Sequence, residues 1–336
     1  MSLIFTADLH LNPKPADEYR WKLLEEWLPQ QKADELVIGG DLTDAKDRHD
    51  ARLVNRLHKA IDLLADHFVI YIVMGNHDYF DRDHPFFNFL DNERRDVFFI
   101  TAPERHDLSI GNGYLVPAEE NWDKVVSKLK AVDYLFTHAT FTGAVSENGT
   151  TMTGVDPGYL DDFKGYCLSG DIHVPQIVRR GIEYVGAPYH TRFGDDFEPR
   201  LIRIDDKGNR SDLHFPAPRK VTIAIRSPDE LREVDQVRRG DHVKARCFLR
   251  RAEYVEWRAY REQIKKFAES AGWVLCGTEA IPVEGQRDTG DTAAREGGEP
   301  VRAVVNPSEL VSAYAKRHKG SKEHIRIGNE LIAGEN

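Results

Sequence analysis

Three short apolar runs, each broken at its carboxyl end by metal-binding residue types, constrain this chain more than any other feature. Val69-Ile-Tyr-Ile-Val-Met74 is stopped by Gly75 immediately before Asn76, His77 and Asp78. Leu3-Ile-Phe-Thr-Ala7 leads into Asp8-Leu-His10, and Leu36-Val-Ile-Gly-Gly40 leads into Asp41. Runs of this length and β-branched content read as buried strands. Two later runs repeat the pattern: Val132 to Thr137 ends at His138, and Tyr166 to Ser169 leads into Gly170-Asp-Ile-His173. Open α/β sheets bind ligands outside the carboxyl ends of their strands. The pattern therefore predicts an α/β sheet with one site, built from oxygen and imidazole donors suited to hard or intermediate divalent cations.

The elements between these strands follow from periodicity. Tyr19 to Trp27 reads as a short amphipathic helix stopped by Pro29, and Leu53, Val54, Leu57, Ile61 and Leu64 mark one face of a helix from Asp50 to Leu64. Phe86 to Leu90 and Asn121 to Leu129 are further helical candidates, and Val97 to Ile100 and Leu115-Val116 are further strands. Residues 140–160, rich in Gly, Thr and Asn, form a loop over the site. Gln176 to Val178, Ile182 to Val185 and Leu201 to Ile204 read as antiparallel returns.

Pro216 and Pro218 mark a boundary, giving a core over residues 1–216. Residues 219–283 form a small α+β unit with strands Lys220 to Ile225, His242 to Leu249 and Trp273 to Cys276 and a helix from Tyr254 to Ala271. Residues 284–300 lack large apolar side chains and read as a mobile linker. Residues 301–336 form a helical tail, with Asn306, Pro307 and Glu309 at capping-box spacing and Leu310, Val311 and Tyr314 on its apolar face.

Charge is divided unevenly along the chain. Residues 219–336 hold 22 Lys and Arg against 19 Asp and Glu, whereas residues 1–218 hold 24 against 37. A net charge of −10 excludes a uniformly basic nucleic-acid-binding surface. An acidic front that collects cations and a mildly basic back suit a polyanion touching both. Cys167, Cys247 and Cys276 are too widely spaced for a disulfide framework or a zinc knuckle and suit a reducing compartment. With no basic n-region at the start and no long apolar run, a cytoplasmic protein without a membrane span is expected.

Taken together, Asp8-Leu-His10, Gly40-Asp41, Gly75-Asn-His-Asp78, His138 and Gly170-Asp-Ile-His173 resemble the signature of the calcineurin-like metallophosphoesterases. Gly39-Gly-Asp-Leu-Thr-Asp44, Val174-Pro-Gln176 and Tyr184-Val-Gly-Ala-Pro-Tyr189 are similar to segments of SbcD-type DNA repair nucleases within that superfamily, phage versions included. The resemblance implies a layered β-sandwich flanked by helices, with residues 219–283 as a small α+β capping domain. It implies two Mn2+ ions per chain, with Mg2+ as the alternative. Asp8, His10 and His173 would hold one ion, Asn76 and His138 the other, and Asp41 would bridge them. His77 is the implied catalytic histidine, oriented by Asp78. It further implies endo- and exonuclease action on DNA in repair or recombination, a homodimer and an SbcC-type ATPase partner; the tail helix is either the docking element for that partner or a helix that folds back on its own domain. Arg48, His49, Tyr79, His84, His190 and Arg192 are candidate contacts to the substrate backbone.

Two other functions fit the same motifs: a phosphodiesterase or phosphatase of small nucleotides or phosphoprotein, and a decayed DNA-end-binding scaffold. The pattern departs from the family at Asp171, where a histidine is usual. A carboxylate there still serves as a ligand and favours a harder cation. Asp171→Asn is therefore expected to weaken the second ion more than the first. Anomalous scattering at the manganese edge checks this, and equal occupancies in wild type and variant would remove Asp171 from the ligand set.

Overall fold

A computed structural model describes residues 1–46, 48–93 and 96–283. Strands β1 (Ser2–Thr6), β2 (Glu35–Ile38), β3 (Val69–Val73) and β4 (Val97–Ile100) run parallel, side by side. A second sheet takes β5 (Glu104–Leu108), β6 (Gly111–Val116), β7 (Tyr134–Thr137), β8 (Tyr166–Ser169), β9 (Gln176–Arg179) and β10 (Ile182–Tyr184), in the order β5-β6-β7-β8-β10-β9. The chain then returns to the first sheet, where β11 (Leu201–Asp205) pairs antiparallel with β1, and β12 (Arg210–Leu213) forms the edge.

Strict alternation explains why the strands are apolar throughout. Leu3, Phe5, Val37, Tyr71 and Val73 turn toward the second sheet and pack with Leu115, Phe136, Leu168 and Val185. Their neighbours Ile4, Leu36, Ile38, Ile70 and Ile72 turn the other way, onto Leu53, Leu57, Ile61 and Leu64 of the helix Ala51–Ala65. A strand buried on both faces has no polar side to show. Asp50 caps that helix by accepting from the amides of Arg52 and Leu53.

Several elements differ from the sequence expectation. The helical stretch over Glu18–Trp27 runs on through a 3-10 turn at Leu28–Gln30 that contains Pro29. Pro29 falls in the opening positions of that turn, where its missing N–H costs nothing. The short helix near Phe86 begins instead at Leu90. Strand β10 pairs antiparallel with β9 but parallel with β8, so it is only half an antiparallel return.

Beyond residue 219, β13 (Lys220–Ile225), β14 (His242–Leu249) and β15 (Val274–Pro282) form a three-stranded parallel sheet. Ile264 and Ala268 of the helix Trp257–Ala271 are buried, and Ile264 joins this sheet's own apolar cluster. The expected linker over 284–300 and tail over 301–336 lie outside the described residues.

A buried ion pair ties the small sheet to the first. Lys220 Nζ lies 2.7 Å from Asp17 Oδ1, with both side chains under a tenth exposed. Asp17 also accepts from Asn12, and Arg20 Nη2 stands 3.6 Å away. Breaking a buried pair by removing one partner strands the other charge and costs ~3–5 kcal/mol. Lys220→Ala should lower stability by about that amount in a chemical denaturation curve. A loss under ~1 kcal/mol would mean that Asn12 and Arg20 satisfy Asp17 without it.

Candidate metal centre

The carboxyl ends of β1, β2, β3, β7 and β8 converge on one spot, and the turns they make are unusual. Asp8, His10, Asp41 and Asp171 all have positive φ, at 56°, 43°, 56° and 82°. Left-handed backbone is uncommon for side-chain-bearing residues, with Asp and His among those that tolerate it better. Two glycines permit the approach. A Cβ at Gly75 would sit 2.4 Å from Asp41 N and Oδ1, and one at Gly170 would sit 2.3 Å from Gly39 O.

The result is a buried cluster of acids and imidazoles. Asp8, His10 and His173 bring ligand atoms within 4.8 Å of one another, as do His10, Asp41 and His77, and Asp8, Asp41 and His138. His10 Nε2 faces His173 Nε2 at 2.9 Å. The Asp41 carboxylate spans the groups: Oδ2 lies 3.7 Å from His10 Nε2, and Oδ1 lies 3.4 Å from His138 Nε2. His138 Nδ1 donates to Gly39 O at 2.6 Å, which leaves Nε2 directed into the cluster.

Asp171 joins on the second side. Its Oδ1 is 3.8 Å from His138 Nε2 and 3.4 Å from Asn76 Nδ2, while Oδ2 accepts from the Thr140 hydroxyl. Its backbone N–H donates to Asp8 Oδ1 at 3.0 Å.

The donor set fits divalent cations. Asp8 Oδ2, Asn76 Oδ1 and His138 Nε2 are buried polar atoms with no hydrogen-bond partner, and all three belong to expected ligands. Buried polar atoms normally find partners. Burial pushes His10 and His173 below the ordinary histidine value, which leaves both neutral and able to offer a lone pair. Burial acts the same way on His138, but the carboxylates of Asp41, Asp8 and Asp171 outweigh it and raise its pKa well above the usual range. Asp41 is held low against the effect of its burial, chiefly by His138. His138 is thus the group that answers the negative charge of the acidic side chains around it, a task that a bound cation would take over.

His77 stands at the edge of the cluster, its side chain 27% exposed and its Nε2 4.0 Å from Asp41 Oδ2. Its Nδ1 meets the backbone carbonyl of Asp44 at 3.1 Å. This corrects the expectation for Asp78. That carboxylate is occupied by backbone: Oδ2 accepts from the amides of Asp41 and Gly75, and Oδ1 from that of Leu42. Asp78 braces two loops together, and burial with Asp41 nearby pushes its pKa up to about 7 in spite of those amides. Asp44, inside the Gly39–Asp44 segment but not singled out, orients His77.

The candidate substrate contacts divide. Arg192 lies at the rim, 2.8 Å from Glu147 Oε1, which in turn lies 3.5 Å from His173 Nδ1. His190 is not available to a substrate: it is 6% exposed, donates from Nε2 to Phe197 O and accepts from the Lys220 amide at Nδ1. His49 packs its ring on Phe86 and Phe87 and meets Thr43 Oγ1, a structural setting. Tyr79 is buried under the Arg82 guanidinium. His84 is exposed and paired with Asp81, and Arg48 is exposed. The loop over 140–160 does reach the site, through Thr140 and Glu147. Sequence reasoning passed over Thr140, Glu147 and Thr191, for which a polar loop offers no signal.

Two layered sheets with an acid–imidazole cluster at their joint strand ends define a metallophosphoesterase. Residues 1–175, just over half of the chain and every expected ligand, match the calcineurin-like phosphoesterase family, and the chain belongs to it. It is similar to putative phosphoesterase 078R of Invertebrate iridescent virus 3, at 26% identity over 221 residues. That match covers 61% of this chain and 62% of the viral protein, so the chain spans less than two thirds of its relative. Among the described residues, no helix is long and apolar enough to cross a membrane.

The brace at Asp78 makes a prediction. Asp78→Ala leaves three backbone amides without an acceptor, at ~1–3 kcal/mol for each one that stays buried. Denaturation should show a loss of ~3 kcal/mol or more, and Asp78→Asn, which keeps one acceptor oxygen, a smaller one. Equal stability in all three proteins would refute the brace.

Proposed function

We propose that the protein is a two-metal phosphodiesterase acting on DNA, a nuclease with its core in residues 1–216 and a DNA-holding module in residues 219–283. The observation that carries the two-metal reading is the Asp41 carboxylate, whose two oxygens face His10 on one side and His138 on the other. On this reading Asp8, His10 and His173 hold one cation, Asn76, His138 and Asp171 the other, and Asp41 bridges. Such a pair of ions, Mn2+ or Mg2+, supplies Lewis-acid polarisation of the phosphoryl oxygens and a lowered pKa for water.

The chain's own residues do the rest. The Asp44 carbonyl can only accept, so His77 Nδ1 carries a proton in either charge state. Proton exchange therefore falls to Nε2, which faces the cluster and can donate to the phosphoryl or leaving oxygen. The Arg192 guanidinium at the rim offers a phosphate two parallel donors.

The choice of DNA rests on the nuclease-like segments and the charge asymmetry. Those segments serve the site indirectly: Tyr184 Oη donates to Ala139 O and accepts from Phe141 N, and Tyr189 Oη donates to Leu9 O. The same reading includes a homodimer and an SbcC-type ATPase partner, testable by co-purification with and without residues 302–336.

The deciding experiment is Mn2+-dependent degradation of labelled linear DNA, run beside a cyclic dinucleotide and a p-nitrophenyl phosphodiester. Turnover of the small diesters with intact DNA would overturn the nuclease reading and leave the phosphodiesterase. His77→Ala should lower kcat by ~10²–10⁴-fold while Mn2+ binding persists in calorimetry. Loss of Mn2+ binding would instead make His77 a ligand.

A further inference from the structure

Glu147 stands in a small hairpin that Val145 and Thr151 close with an antiparallel bridge. The base of the hairpin is fixed by one side chain: the Gln176 carboxamide accepts from Val145 N at 2.8 Å and donates to Val145 O at 2.7 Å. Gln176 belongs to the Val174-Pro-Gln176 segment, which gives that segment a local task.

From there the Glu147 side chain, only 15% exposed, reaches the back of the metal centre. One oxygen, Oε1, lies 2.8 Å from Arg192 Nη1 and 3.5 Å from His173 Nδ1. Thr191 Oγ1 meets the same Nδ1 at 3.1 Å. The other nitrogen of His173 faces His10 inside the cluster. A lone pair at Nε2 requires the proton to be on Nδ1, where the Thr191 hydroxyl is placed to accept it and the Glu147 carboxylate faces it from 3.5 Å. A carboxylate behind a ligating imidazole fixes the ring and raises its basicity, and removing such a partner typically costs 10–100-fold in metal affinity. The Arg192 side chain is meanwhile 69% exposed, tethered to that same oxygen at the mouth of the site.

We propose that Glu147 is a positioning residue with two linked roles: it orients His173 from behind, and it holds the Arg192 guanidinium at the mouth until a diester phosphate takes the carboxylate's place. The inference rests on the reading of His173 as a metal ligand. A phosphate diester bears one negative charge over two oxygens, as the carboxylate does, and the planar guanidinium binds either through two parallel donors. Substrate arrival then releases Glu147 from Arg192 and leaves its oxygen to His173 alone.

The test uses the full-length chain: Mn2+ titration by calorimetry and kinetics on bis-p-nitrophenyl phosphate, for wild type and four variants. Glu147→Ala should weaken Mn2+ binding by roughly 10–100-fold. Glu147→Gln, whose amide oxygen accepts the same proton, should recover most of that loss, which a disrupted hairpin would not. Arg192→Ala should leave Mn2+ binding as in wild type and raise KM by about tenfold, the scale of one lost charged contact, without lowering kcat. His173→Ala is the reference. If it loses Mn2+ while Glu147→Ala binds like wild type, the positioning role is wrong and the ligand role of His173 stands. If His173→Ala itself binds like wild type, the ligand reading beneath the inference fails. An unchanged KM in Arg192→Ala would overturn the role at the mouth.

Discussion

Everything in this site depends on keeping several acids and imidazoles together out of water. Asp8, Asp41 and Asp78 are each 3% exposed or less, and charges removed from solvent are tolerated only when matched. The matching is of two kinds. Asp78 is satisfied by backbone amides, so its role ends inside the protein. Asp8, Asp41 and Asp171 face imidazoles instead, and Asp8 Oδ2 and His138 Nε2 remain without hydrogen-bond partners. A cluster with that remainder is incomplete as a purely structural arrangement and complete as a cation site.

The sheets exist in this form because the cluster needs five strand ends at one point. Parallel neighbours place their carboxyl ends on the same side, and stacking the two sheets brings Asp8, His10 and Asp41 of one against His138, Asp171 and His173 of the other. The glycines and left-handed turns then close the last few ångströms. Strained backbone of this kind survives only where surroundings over-determine it. Here the bond from Asp8 N to Gly40 O, that from His10 N to Asp41 O and the Asp78 brace do so.

A second buried network lies beneath the first. Arg20, 2% exposed, donates to the carbonyls of His10 and Thr191 and stands near Asp44 and Asp17. Lys220 extends it into the third sheet. The backbone that carries His10 and Thr191 is thereby joined, through charged side chains, to the first residue of β13. The small sheet is thus linked to the loops that carry the acid–imidazole cluster by more than the connecting chain.

Much of this was legible in the sequence because strand burial and site chemistry both leave local marks. An apolar run cut by Gly75 and followed by Asn76 and His77 announces a strand and its terminal ligands in one stretch, and the same holds at Asp8, Asp41, His138 and Asp171. Family membership followed from those marks. What the sequence could not carry was the direction of individual side chains. Asp78 and His77 are adjacent, and adjacency suggested that one orients the other. The fold turns Asp78 to the amides of Asp41 and Leu42 and gives His77 to the carbonyl of Asp44. His190 and Arg192 are two positions apart, yet one is locked to backbone under the third sheet and the other opens onto the rim. Glu147 has no mark at all, since an acid in a polar loop gains meaning only when packing brings His173 to it. Periodicity and strand-end chemistry are properties of neighbours in the chain and can be read there. Which distant side chain or backbone group each residue meets is decided only when the sheets and their loops pack together.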